Sequence, residues 1–152
     1  MGWDLNTSEN GLVVNENDVS IYGLFVEHHQ QFQVLWKSNH GRTYFYQSEI
    51  PYDPPAQASY TSAQGVNGWA SYKVADEVTN HEAWGLGVYS VFIYPNMALT
   101  QAIKTPKSQE IQFHDIITVA LNEHKVISHV INDTGEATAI RPRVTPKVTN
   151  FP

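Results

Sequence analysis

Short strand-like runs recur behind polar turns, and no stretch of the chain keeps the i, i+3, i+4 apolar stripe of a helix. The runs are residues 12–14, 19–27 (VSIYGLFVE), 32–36, 42–47 (RTYFYQ), 84–94 (WGLGVYSVFIY), 111–121 (IQFHDIITVAL) and 125–131 (KVISHVI). Between them stand NEND at 15–18, SNHG at 38–41, YPN at 94–96 and NDTG at 132–135. Asn and Gly tolerate positive φ, and Asn and Asp side chains close turns on their own backbone. Two units align: NENDVSIYGLFVEH from Asn15 and SNHGRTYFYQSE from Ser38, each a turn, a strand and an acidic end. The acids are Glu27 and Glu49, 22 residues apart. A period of about 20–30 residues with one turn and one strand is what a β-solenoid coil requires, since each coil buries its inner face only against its neighbours. The chain therefore reads as all-β. A short solenoid is the first expectation, and an antiparallel β-sandwich or jelly roll is the alternative.

Composition removes several function classes. Nine Lys and Arg face fifteen Asp and Glu, a net charge of −6, so no basic face exists for nucleic acid. No apolar run reaches the roughly 20 residues of a membrane-crossing helix, so no membrane partner is expected. The absence of Cys excludes disulfides and thiolate chemistry. Charged residues are only 16% of the chain while aromatics reach 12%, the reverse of a disordered composition. Residues 1–135 read as one β domain, interrupted by a Pro- and Gly-rich loop at 51–69 (PYDPPAQASYTSAQGVNGW). Its aromatics Tyr52, Tyr60 and Trp69 argue for an ordered loop. Residues 136–152, with three Pro, read as an extended tail docked by Val144, Val148 and Phe151.

The segments GLVVNENDVSIYGLFVEH, GRTYFYQSEIPYDPP, YKVADEVTNHEAWGLGVYSVF and FHDIITVAL…ISHVINDTG resemble the C-terminal portion of large secreted proteins of the pectate-lyase-like superfamily. These are right-handed parallel β-helices and include relatives of glycoside hydrolase family 55. The likeness covers residues 10–135 and implies a short right-handed parallel β-helix that recognises or processes carbohydrate. Such proteins run to several hundred residues, so the resemblance also implies that this chain is a fragment of the architecture. It implies secretion, although MGWDLNTSEN has no signal-peptide pattern. The alternative function is a non-catalytic assembly module. Open coil ends need covering, either by a cap formed from residues 1–10 or by a homo-oligomer.

Glycoside hydrolysis uses two carboxyl groups. In-register coils bring equivalent positions to about 4.8 Å, which makes Glu27 and Glu49 neighbours, with Glu82 and Asp115 extending the row. These four are the catalytic candidates. Tyr44 and Tyr46, two apart on one strand, are expected on one face, and Trp36, Tyr52, Trp69 and Trp84 join them as a stacking platform for sugar rings. No cofactor is implied. No metal site is assigned: HExxH is absent, and the ligand-type residues are the scattered pairs His28-His29, His81-Glu82 and His114-Asp115, with Asp76, Glu77 and Asp133 suited to calcium.

Overall fold

The computed structural model describes residues 2–62, 65–123 and 125–152, without the side chain of Lys125; residues 63 and 64 of the long loop thus lie outside the described residues. It is all-β, with one 3-10 turn at Gln57–Ser59 among the described residues. The strands are β1 (Leu12–Val14), β2 (Ser20–Phe25), β3 (Val34–Trp36), β4 (Gly41–Glu49), β5 (Tyr72–Val74), β6 (His81–Ser90), β7 (Met97–Lys104), β8 (Ile111–Ala120) and β9 (Lys125–Ile131). Short β10 (Ala139–Ile140), β11 (Arg143–Val144) and β12 (Lys147–Phe151) follow.

Odd and even strands separate. One sheet has the order β1-β3-β5-β7-β9 and the other β2-β4-β6-β8, every one of these pairings parallel. Parallel neighbours cannot be joined by tight hairpins; here the connection from one strand to its neighbour passes through the other sheet. This pairing replaces the antiparallel sandwich alternative. The register carries the recurrence forward, with Tyr22 beside Tyr44, Trp84 and then His114. Among the parallel strands β5 and β7 escape the sequence reading, and so do the short β10, β11 and β12 of the tail.

The tail ends in β12, which pairs antiparallel with β8 and covers that edge, with Val148 and Phe151 buried. The opposite edges are β1 and β2. Residues 8–10 do not lie across them as the expected cap. They run beside 30–32 instead (Gln30 N–H donates to Ser8 O at 2.9 Å, Gln31 N–H to Glu9 O at 2.7 Å), continuing the ladder between β1 and β3.

The space between the sheets is filled by Trp36, Tyr46, Tyr72, Phe113 and aliphatic residues. The two tyrosine hydroxyls are served internally. Tyr72 Oη lies 2.8 Å from Thr43 Oγ1 and 3.0 Å from His81 Nε2, and Tyr46 Oη lies 2.7 Å from Ser71 Oγ. Trp36 and Tyr46 are fully buried and so cannot meet a sugar, which corrects the expectation for both.

Tyr44 and Tyr46 do not share a face. Phe45 has φ +67°, and the equivalent residues of the neighbouring strands, Gly23, Gly85 and Asp115, have φ +66°, +68° and +54°. Each is a left-handed kink that leaves the register one-to-one, so the in-out alternation slips by one at the same level in four stacked strands. Tyr44 consequently points outward and Tyr46 inward. Gly85→Ala is expected to cost about 1–2 kcal/mol, because a Cβ disfavours positive φ by that amount. The site is otherwise open, with only Phe45 Cα at 3.9 Å from a Cβ placed there. Gly85→Asn should cost less than half as much, since Asn tolerates this region. Urea denaturation of the two variants tests the difference.

Candidate functional site

The parallel ladder continues beyond the ends of β2 and β4. Val26 N–H donates to Gln47 O at 3.3 Å and His28 N–H to Glu49 O at 3.0 Å, which sets Glu27 directly beside Glu49. His28 departs from strand geometry with φ +66°. Its Nε2 comes to 3.3 Å from Glu49 Oε2. One carboxylate oxygen each from Glu27 and Glu49 and a ring nitrogen of His28 lie within 4.8 Å of one another.

Chain direction then changes at Pro51, and Tyr52 folds back so that its hydroxyl donates to Glu49 Oε2. The Tyr52 ring meets His28 edge to face at 4.4 Å. The phenol is pushed up to about 12, first by loss of solvent and then by the Glu49 carboxylate it bonds and the Glu27 charge. Tyr52 therefore keeps its proton and serves as a donor at neutral pH. Gln47 Nε2–H donates to Glu27 Oε1 at 3.1 Å, which fixes the second carboxylate. His29, alongside, is held below the usual imidazole range by burial and by His28.

Glu27, His28, His29 and Tyr52 line a pocket of about 230 Å³ whose far wall is Gly2, Trp3 and residues 5–8, while Glu49 and Gln47 stand beside it, outside the lining. That wall is tied down where Trp3 N–H donates to Asp53 Oδ2 at 3.1 Å and Gln30 Nε2–H to Trp3 O at 2.9 Å. The side chains of His28 and Glu49 are 18% and 21% exposed, so both are partly open to solvent. Among the described residues no Lys or Arg lines the pocket. The arrangement is a pair of carboxylates, Glu27 in the pocket wall and Glu49 beside it, the second oriented by a phenol and an imidazole.

The other catalytic candidates lie elsewhere. Glu82 is in register with Arg42, not with Glu49, whose partner on β6 is Tyr89. Seven residues of strand separate the two levels, about 23 Å. Glu82 pairs with Arg42 at 3.5 Å, and Asp115, at its left-handed kink, pairs with Lys147 at 3.0 Å. The row thus ends at Glu49, because the recurrence sets level by register and these acids occupy other levels.

Tyr44 and Trp84 stand in an outward ladder, Tyr22–Tyr44–Trp84–His114. Successive rings are 4.8, 4.8 and 5.3 Å apart and nearly parallel. Each of the two middle rings has a neighbour on both faces, leaving neither face for a sugar; this corrects their assignment to a stacking platform. Trp69 is half-buried against Phe32. The calcium-type acids do not converge: Asp76 pairs with Lys73 and Asp133 with Lys107. His28 and the Trp3 wall were not singled out for this pocket by sequence; the 22-residue offset that aligns Glu27 with Glu49 was the available signal for the former.

Residues 1–49 match the LAM55 pectate lyase-like domain. Over its whole length the chain is 37% identical to an exo-β-1,3-glucanase of Streptomyces sp. (strain SirexAA-E / ActE), covering 100% of this chain and 25% of that protein. The structure of sacteLam55A from Streptomyces sp. SirexAA-E superposes with a TM-score of 0.96, at 37% identity over 100% of this chain and 28% of that one. A variant of sacteLam55A in complex with glucose gives the same figures. The chain therefore spans about a quarter of the length of the proteins it matches. The chain is thus similar, along its whole length, to part of an exo-β-1,3-glucanase and, over residues 1–49, to the LAM55 pectate lyase-like domain.

Proposed function

We propose that this chain winds as a short right-handed parallel β-helix and supplies the sugar-cleaving pocket of a β-1,3-glucan-processing protein. Glu49 acts as the proton donor to the glycosidic oxygen. The observation that carries the reading is the convergence of Tyr52, His28 and Glu27 on the Glu49 carboxyl beside an open pocket that the first three line. The alignment along the entire chain with a glucanase supports β-1,3-glucan as the substrate class.

In the proposed step, Glu49 delivers its proton to the glycosidic oxygen as the bond from that oxygen to the anomeric carbon breaks. The departing sugar leaves with its hydroxyl restored, a water molecule adds to the anomeric carbon, and the proton that this water loses returns through solvent to Glu49. Tyr52 and His28 hold the carboxyl through Oε2, which leaves its other oxygen for the transfer. The two carboxylates approach within 4.8 Å. An inverting pair stands roughly 6.5–9.5 Å apart to admit water between its members. Glu27 is therefore assigned to orienting Glu49 and binding a sugar hydroxyl, not to activating water from the far side of the ring.

The test is a product assay of the full chain on β-1,3-glucan, with β-1,4-glucan as the comparison. Glucose release from the first alone is the expected outcome. Absence of both hydrolysis and binding of β-1,3-gluco-oligosaccharide would overturn the proposal.

A further inference from the structure

A second, larger concavity, of about 530 Å³, opens on the outer side of the β3-β5-β7 sheet, away from the Glu49 pocket. Its lining includes Phe32, Trp69, Lys73, Asp76, Gln101 and Lys104. The aromatic corner is built in advance. Phe32 and Trp69 meet edge to face at 4.9 Å and 87°. The loop carrying Trp69 is pinned at both neighbours: Gly68 N–H donates to Tyr60 O at 2.8 Å, Tyr60 Oη–H donates to Trp69 O at 3.3 Å, and Thr100 N–H donates to Asn67 O at 2.8 Å. Gly68 has φ +71° and would place a Cβ 2.7 Å from both Leu99 and Tyr60, so the loop closes tightly onto the core just before the Trp.

Opposite this corner stands a polar rim. Lys73 and Lys104 are direct partners across β5 and β7. Like charges in that relation repel. Two lysines at one spot are notable in a chain with nine cations against fifteen acids. Asp76, its side chain 86% exposed, pairs with Lys73 and leaves lone pairs toward the cleft. Donors (Lys73, Lys104, Gln101) and acceptors (Asp76, Gln101) thus face an aromatic wall. That combination takes a sugar, with its C–H face on the ring and its hydroxyls on amide, ammonium and carboxylate. Asp76 is the one carboxylate among the lining residues, so the cleft lacks the paired acids that hydrolysis needs.

We infer that the Phe32–Trp69 cleft is a second, non-catalytic glucan-binding site, which holds the polymer while the Glu49 pocket acts on it. The inference rests on the glucan reading above. The test titrates a six-residue β-1,3-gluco-oligosaccharide into the full chain, followed by heat and by tryptophan fluorescence. Two binding events are expected, and Trp69→Ala weakens one of them about tenfold. The same variant raises KM for long glucan far more than for a disaccharide. Gln101→Ala, at the rim, weakens the same event without lowering the melting temperature, which separates lost binding from lost fold. A single event untouched by either variant would overturn the inference. Loss of the pocket event and of hydrolysis, with the Trp69-dependent event intact, removes the Glu49 reading alone. Absence of any binding removes both.

Discussion

Glu49→Gln is expected to lower the rate of β-1,3-glucan hydrolysis by about 100- to 10,000-fold, the usual contribution of a positioned proton donor. Gln keeps the size of the side chain, and its carbonyl oxygen still accepts from the Tyr52 hydroxyl that Glu49 engages. What it loses is the transferable proton. Binding of oligosaccharide should therefore persist within a few-fold while kcat collapses. Tyr52→Phe should fall between the two, since the carboxyl remains but loses the donor that aims it. Glu82→Gln and Asp115→Asn serve as controls. Their carboxylates are engaged by Arg42 and Lys147 away from the pocket, and their rates should stay within about twofold. Initial rates of reducing-sugar release, with melting temperatures as the check on folding, decide the matter. A Glu49→Gln protein that hydrolyses glucan at the parent rate would remove Glu49 from the chemistry.

The site was legible where the fold repeats without interruption. Glu27 and Glu49 lie one uninserted repeat apart, so aligning two turns by eye places them side by side. The later turns carry insertions. From Tyr44 to its partner Trp84 is 40 residues, and from Trp84 to His114 is 30, so equal spacing no longer reports equal level. Glu82 and Asp115 were misplaced for that reason.

The left-handed kinks hid for a different one. Two of the four stacked positions hold Phe45 and Asp115, residues that do not announce positive φ, and only Gly23 and Gly85 hint at it. A period-2 reading therefore carries Tyr44 and Tyr46 to the same face, when one slipped residue sends them to opposite sides. Strand β7 was missed because MALTQAIK is made of helix-favouring residues. Flanking strands β5 and β9 supply its hydrogen bonds, and that pairing outweighs local preference. Aromatic residues were the least legible of all, since sequence cannot tell the buried Trp36 from the half-buried Trp69.

Acidification should destabilise the protein through His81, well before its carboxylates titrate. His81 is fully buried between Trp36, Tyr72 and Phe113. Burial lowers its pKa to about 3 from an ordinary 6.5. Its Nε2 meets the Tyr72 hydroxyl at 3.0 Å, while Nδ1 has no partner among the described residues, so a protonated ring would bury an extra N–H with no acceptor. Between pH 6.5 and pH 3 the unfolded chain thus takes up a proton that the folded chain refuses. Stability is fully present above 6.5 and falls as pH drops through this window, at up to about 1.4 kcal/mol per pH unit. By pH 4.5 the loss should reach about 2–3 kcal/mol from this one group. Asp76 and Asp133 also have lowered pKa values, through their Lys73 and Lys107 hydrogen bonds, and they act in the same direction. Their window opens only below the ordinary carboxylate value of 3.8, at the lower end of that of His81. His29 shares the upper window, which is why the measurement compares variants. In His81→Gln, which keeps a polar group near Tyr72 but cannot titrate, stability at pH 7.5 is lower than in the parent. The gap should narrow by about 2–3 kcal/mol by pH 4.5. Urea denaturation at pH 7.5, 6.0 and 4.5 reads this directly, and parallel pH slopes for the two proteins would show that His81 is not the acid-sensitive group.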